Sequence, residues 1–201
     1  MKKIMVVCSF ILFFIVGLAV HPVLAVETIT VAGGETDSSQ LQMETTEIQS
    51  LPVVQKSEYT LPYPGMLPDH PLYFLKRLRD TILEKLISDP IRKTEFYILQ
   101  SDKRLQMGVM LMNVGKGSLG ESTISKAEKY MEQAVSGISL YKKSGGIIPP
   151  YIIEQLENAT AKHQEVISDL IGGANEIEKG GLQGSLSLLI ELISSIGSLK
   201  Q

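Results

Sequence analysis

The sequence predicts an all-α fold: about five helices in antiparallel hairpins forming a helical bundle, preceded by a signal segment and a disordered acidic linker. Three observations predict it. From Tyr59 onward, apolar residues recur at the three- and four-residue spacing of a helix face. Proline and paired glycines cut these stripes at Asp89-Pro90, Gly145-Gly146, Pro149-Pro150, Gly172-Gly173 and Gly180-Gly181. No segment of 59–201 alternates apolar and polar residues with the period of a strand. That stretch is long enough to bury one core and is taken as one all-α domain.

The chain opens with Lys2 and Lys3, an uninterrupted apolar run from Ile4 to Val20, and Val23-Leu24-Ala25. Bases, apolar run and small residues in that order predict a signal peptide over 1–25, cut after Ala25. At 17 residues the run is longer than a usual signal core and shorter than the roughly 20 that span a bilayer comfortably. An uncleaved anchor is therefore the alternative. Either way, residues 26–201 are expected outside the cytoplasmic membrane, secreted or held by the N-terminus. Membrane contact is expected only through residues 4–20, if these are uncleaved. Cys8 lies inside the run with no lipobox before it. A cleaved chain has no cysteine, which excludes disulfides, thiolate metal sites and cysteine nucleophiles.

Residues 26–58 are rich in Ser, Thr, Gln and Glu and lack periodicity. They carry Glu27, Glu35, Asp37, Glu44, Glu47 and Glu58 against Lys56 alone. Such a composition predicts a disordered acidic tether. The formal net charge is −3; with Lys2 and Lys3 set aside, all of it falls in this linker. A neutral 59–201 offers no electrostatic footprint for nucleic acid.

The first helix is expected over about 70–88, opened by Asp69, His70 and Pro71. Asp89 can cap, and Pro90 suits the first position of, a second helix over about 90–114. There Ile91, Ile98, Leu105 and Met112 recur every seven residues, and Phe96, Leu99 and Val109 widen the stripe. A loop at 115–120 ends it. Ser122 or Ser125 is the expected cap of the third helix, Ser125 forming a capping box with Glu128. Its apolar face is Ala127, Met131, Ala134, Ile138 and Tyr141. Pro149-Pro150 starts the fourth and longest helix, with Ile153, Leu156, Thr160, His163, Ile167, Leu170, Ala174 and Ile177 in one stripe. Gly172-Gly173 should bend or loosen it, each glycine costing about 1 kcal/mol against alanine. Gly180-Gly181 should separate it from a fifth helix with Leu186, Leu189, Ile190, Ile193 and Ile196 as its stripe. Leu188 and Leu192 then fall outside that stripe, for a second chain or the membrane surface to cover. Residues 116–120 and 179–182 are loosely alike and hint at a duplicated hairpin.

The most distinctive local pattern is 61–79, Leu-Pro-Tyr-Pro-Gly-Met-Leu-Pro-Asp-His-Pro-Leu-Tyr-Phe-Leu-Lys-Arg-Leu-Arg. Its prolines fix an extended path. Tyr63, Leu67, Tyr73 and Leu75 are expected to pack on the helices and brace the first of them onto the bundle. The competing reading makes Tyr63, Tyr73, Lys76 and Arg77 a contact for a partner, with the tyrosines as anchors. From Leu67 to Arg77 the chain resembles the L-P-x-x-x-L-Y-x-L-K-R opening of an uncharacterised family of exported bacterial domains of unknown function, where it leads into paired helices. Leu99-Gln-Ser-Asp-Lys-Arg-Leu105 resembles the family's basic helical repeat. The resemblance covers about 59–145 and leaves out the last two helices. It implies no chemistry, because the family has no established activity. Some relatives resemble the outer parts of membrane-anchored regulators of gene expression; with Met1-Lys2-Lys3 alone before the apolar run, that role is not expected here.

Lys76, Arg77, Arg79, Lys85, Arg92, Lys93, Lys103 and Arg104 form a basic band interleaved with Asp80, Glu84, Asp89, Glu95 and Asp102. The helical spacing of Lys76 with Asp80 and of Arg92 with Glu95 predicts a solvated ion-pair face. Contact with an anionic lipid or envelope polymer is the alternative. Met107 and Met110 share a helix face and are the metal candidates, since thioethers hold Cu(I) outside the cytoplasm. Met112 points about 200° away from Met110, so adaptable core packing is the favoured reading. His70 is expected in the first cap, and His163 as a satisfied core or boundary histidine. Metalloprotease, EF-hand, nucleophile-elbow, P-loop and dinucleotide motifs are absent from the sequence. No catalytic residue, cofactor or metal is assigned, and a folded-together carboxylate or His163 site stays open. The expected function is that of an exported, non-enzymatic helical domain at the bacterial cell envelope, working through protein or surface-polymer contacts. The alternative is an extracytoplasmic ligand- or metal-binding sensor.

Overall fold

The computed structural model describes residues 58–200. The signal segment expected at 1–25, with Cys8, and the linker at 26–58 except for Glu58 lie outside the described residues. Among these are five helices and no strand: α1 (Tyr73–Leu86), α2 (Pro90–Asn113), α3 (Gly117–Lys143), α4 (Pro150–Gly173) and α5 (Glu176–Ser198). The all-α class follows. Short turns make hairpins of α2 with α3 and of α4 with α5. Since α2 packs on α3 and α4, and α5 packs on the same two, the four close into a ring. No described helix is long and apolar enough to cross a membrane.

The ring encloses two apolar clusters. One gathers Ile98, Met131, Ala134, Ile138, Ile152, Leu156 and Ile196; the other gathers Leu105, Ile124, Ala127, Ile167, Leu182 and Leu189. Along α2, α3 and α4, the positions between them are occupied by Asp102, Glu128 and His163, all buried. A polar layer therefore divides the core. The expected stripes of α3 and α4 point inward as read, from Ala127 to Ile138 and from Ile153 to Ile167. Leu99 of α2, by contrast, faces outward.

The cap of α2 is as expected: Asp89 Oδ1 accepts from the Arg92 N–H at 2.7 Å, with Pro90 in the first turn. At α1 the expected cap does not form: the helix begins at Tyr73, its N-cap Leu72 has no side-chain cap bond, and His70 Nδ1 instead accepts from the Leu72 N–H at 3.1 Å in the turn before the helix.

Two expected boundaries fail for physical reasons. Residues 117–120 are not loop but the first turn of α3, and the chain turns instead at Gly115 with φ 77°. Gly120 is a packing contact: a Cβ there would stand 2.5 Å from Met112 Cγ and 2.9 Å from the Gly108 carbonyl oxygen. Glycines on both helices let the α2 and α3 backbones approach closely. The Ser125–Glu128 capping box fails with the boundary, since Glu128 is in the polar layer.

The second break falls at Ala174 and Asn175, not at Gly180-Gly181. The Asn175 side chain accepts from the N–H groups of Ile177 and Glu178, and the Glu178 carboxylate accepts from the Asn175 N–H, a reciprocal cap worth about 1 kcal/mol or more. Gly180 and Gly181 thus lie within α5, and the suggested hairpin duplication goes with them. Ile177 leaves the α4 stripe and is 88 % exposed. The α5 face also differs: Leu182, Leu189, Leu192 and Ile196 are buried and Leu188 packs on the core, while Ile190 and Ile193 face outward. A helix apolar on most of its circumference has no unique stripe, so contacts with α3 and α4 choose the face.

Candidate functional site

Three arrangements concentrate the polar and exposed apolar side chains. The first is α1, which is turned inside out. Tyr73, Lys76, Asp80 and Glu84 lie along the side that meets α2 and the proline-rich strap, residues 59–72, that leads into α1. Lys76 Nζ donates to the Pro64 carbonyl at 3.0 Å and lies 3.8 Å from Met107 Sδ. The Tyr97 hydroxyl of α2 donates to Glu84 Oε1 at 3.0 Å. Asp80 is buried and holds Arg79 at 2.7 Å rather than Lys76. Outward stand Phe74, Leu75, Leu78, Ile82 and Leu86, each more than half exposed, with Arg79 and Lys85 along the edges of this face by helical register. The expected brace is thus built by Tyr59, Leu61 and Pro64, which pack inward, and not by the apolar face of α1. Tyr63, expected either to pack or to anchor a partner, is 81 % exposed. Burial pulls the Lys76 ammonium down to about 8; Asp80 opposes the fall, and Arg104, Lys103 and Arg79 add to it.

The second is a cleft of about 310 Å³ where the strap, α1, α2 and α3 meet, lined by Pro68, Tyr73, Arg77, Arg104, Thr123, Lys126 and Tyr130. Arg104 is 7 % exposed. Its guanidinium lies over the Tyr130 ring, 4.0 Å from the centroid. Nη1 donates to the Gln100 carbonyl at 3.2 Å and to Gln100 Oε1 at 2.6 Å; Nη2 donates to the Tyr130 hydroxyl at 3.3 Å. The basic band read as a solvated ion-pair face therefore fails here, because Arg104 is buried and no acid lines the cleft. The Arg92–Glu95 pair does not form either; Glu95 accepts instead from the Tyr151 hydroxyl at 3.0 Å.

The third is the polar layer. His163, fully buried, sits 2.7 Å through Nδ1 from Glu128 Oε1 and 3.1 Å through Nε2 from Asp102 Oδ1. The Tyr59 hydroxyl donates to Asp102 Oδ2 at 2.6 Å, and the Ser101 hydroxyl to the Ala127 carbonyl at 2.7 Å. Burial alone pulls the imidazole down. The charge of Glu128, hydrogen bonds to Asp102 and Glu128, and the charge of Asp102 outweigh it, and the pKa is pushed up to about 9. Both ring nitrogens then donate, so His163 is an imidazolium between two carboxylates. Burial and the bond to Asp102 hold the Tyr59 phenol well above its ordinary range. Glu128 Oε2 and Asp80 Oδ2 are the buried side-chain atoms without a partner among the described residues.

The methionines do not make a metal pair. Met107 is buried with the Lys76 ammonium beside its sulfur, a poor neighbour for a cation, while Met110 reaches the surface. Of the residues read as partner contacts, Tyr73 and Arg77 come together at the cleft, while Lys76 turns to the strap and Tyr63 stands apart. Sequence reasoning missed Arg104, Lys126 and Tyr130 as a group. No local signal separated them, since Arg104 and Asp102 read alike as members of the interleaved charged band.

The family model of a domain of unknown function, DUF5667, matches residues 65–176. The match runs past the expected limit near 145, through α4 to the first residue of α5, and begins inside the strap. No curated protein and no solved structure matches the chain.

Proposed function

We propose, for a chain that belongs to the DUF5667 family of domains of unknown function, an exported and non-enzymatic role at the bacterial cell envelope, exercised by contact with a protein or a surface polymer. The observation that carries this reading is the outward face of α1. Five large apolar side chains on one short helix, edged by Arg79 and Lys85, form a surface that a monomer in water leaves bare at a cost. Its apolar centre suits a protein more than a polymer. The non-enzymatic part is supported by the polar layer: His163 is fully buried with both nitrogens committed, so it has neither a free lone pair nor a proton within reach of a substrate. Export is supported by Lys2, Lys3 and the apolar run from Ile4 to Val20.

A photo-crosslinking residue in place of Leu78 or Ile82, in intact cells, should give a discrete adduct that the same residue at the exposed Gln133 of α3 does not. Protease added to cells stripped of their outer layers should digest the chain. Protection from that protease, or no adduct at either α1 position, overturns the reading. The alternative, a ligand-binding sensor, is favoured by the cleft and has its own consequence.

A further inference from the structure

Arg104 is a buried cation without an anion. Taking a charge out of water costs several kcal/mol unless a counter-charge repays it. The Tyr130 ring returns about 0.5–2 kcal/mol of that, and Gln100 supplies neutral acceptors. Three of the five guanidinium N–H groups are engaged by Gln100 and Tyr130. Arg77 from α1 and Lys126 from α3 line the same cleft, and among the described residues none of the three cations has a carboxylate partner. Of the nearby acids, Glu84 is engaged on Tyr97 and Asp102 on His163 and Tyr59; Asp80 holds Arg79 through Oδ1, keeps a buried Oδ2 without a partner, and does not line the cleft. The Tyr130 hydroxyl accepts from Arg104 and keeps its own proton to donate.

Three cations from three different helices, converging with a hydroxyl donor and no acid, match an anion with several acceptor oxygens. Guanidinium forks pair bidentately with phosphate, and a dianion answers more of this charge than a carboxylate does. The cleft, at about 310 Å³, has room for a phosphate group on a small organic residue. The rings of Tyr73 and Tyr130 supply apolar wall. We propose that this cleft, with Arg77, Arg104 and Lys126 as its cations, binds a phosphate group carried by a small ester or by a lipid headgroup. The site goes beyond the contact reading and requires no particular location of the chain.

Calorimetric titration of the full-length chain, kept in a nonionic detergent, with inorganic phosphate and with glycerol phosphate at fixed ionic strength is expected to show saturable binding at one site. Arg104→Gln and Lys126→Gln should each weaken it by about tenfold or more. Lys126 is exposed, so its variant keeps the test valid if Arg104→Gln fails to fold. Lys129→Gln, on α3 outside the cleft, should leave binding unchanged. Vesicle flotation separates the sources: capture by phosphatidate, whose headgroup is a phosphate monoester, and not by phosphatidylcholine, lost in Lys126→Gln, assigns the site to a headgroup, and binding of the soluble probes alone assigns it to a free ester. No saturable binding of any probe, or binding that Lys126→Gln and Arg104→Gln leave intact, overturns the site.

Discussion

Asp102 and Arg104 stand two residues apart on α2 and serve opposite arrangements. By the helix's 100° per residue they point to opposite sides. Asp102 enters a buried layer in which an imidazolium lies between two carboxylates and a phenol closes the chain of bonds. Arg104 enters a cleft that gathers three cations and no acid. Both charges are buried, and one is matched within the chain while the other is not. A matched buried cluster ties three helices and the strap together, since removing any member strands the rest. An unmatched one adds little to the fold and waits for a counter-charge from outside.

The largest expected break of that contrast is His163→Leu, which leaves Asp102 and Glu128 facing each other without a cation. Breaking a buried pair costs about 3–5 kcal/mol, a fall of about 10 °C in melting temperature for a domain of this size. Thermal melts by circular dichroism check it, and a loss no greater than that of Arg104→Gln would erase the difference between the two clusters. Next comes pH. The His163 pKa is pushed up to about 9 in the fold from the ordinary histidine value of 6.5, so its stabilisation is fully present below the lower value. It is lost as pH rises through about 9, because the unfolded imidazole gives up its proton first. The melting temperature should drop between neutral pH and about pH 9.5 in the native chain, and this step should be absent from His163→Leu.

Tyr59→Phe removes the hydroxyl donor to Asp102 and is expected to cost about 1–2 kcal/mol, read as a shift in the denaturation midpoint at unchanged slope. Arg104→Gln gives up stacking and three hydrogen bonds but also a buried charge, so its net effect should stay within about 1 kcal/mol. Leu78→Ser, on the bare face of α1, should move stability by no more than about 0.5 kcal/mol while removing the crosslinked adduct. A large destabilisation by Leu78→Ser would mean that the α1 face packs within the chain.

How much was legible follows from where the information sits. The faces of α3 and α4 were readable because Ala127, Met131, Ala134 and Ile138, like Ile153, Leu156, His163 and Ile167, repeat at the helical period and are all buried. The α2 cap was readable because Asp89 and Pro90 act within one turn. Gly120 misled because a glycine that lets two backbones meet has the same letter as one that turns a loop. For α5, Leu188 and Leu192 compete with Ile190 and Ile193 for the same core, and local pattern cannot rank them. Helix spacing pairs Lys76 with Asp80, but the strap carbonyl of Pro64 takes its ammonium, a partner that helix spacing does not contain.

By itself the sequence determined the helical class, the order of five helices, the inward faces of two of them and the place of His163 on an apolar stripe. These depend on residues within a turn or two of each other. Tertiary structure alone decided which charges meet: His163 finds Glu128 and Asp102 35 and 61 positions away, and Arg77, Arg104 and Lys126 converge from three helices on one cleft. It also decided that α1 turns its polar side in. The strap and α2 beneath it offer hydrogen-bond partners, among them the Pro64 carbonyl and the Tyr97 hydroxyl, and a buried polar group must have such partners. An exposed leucine face has no comparable requirement within the chain.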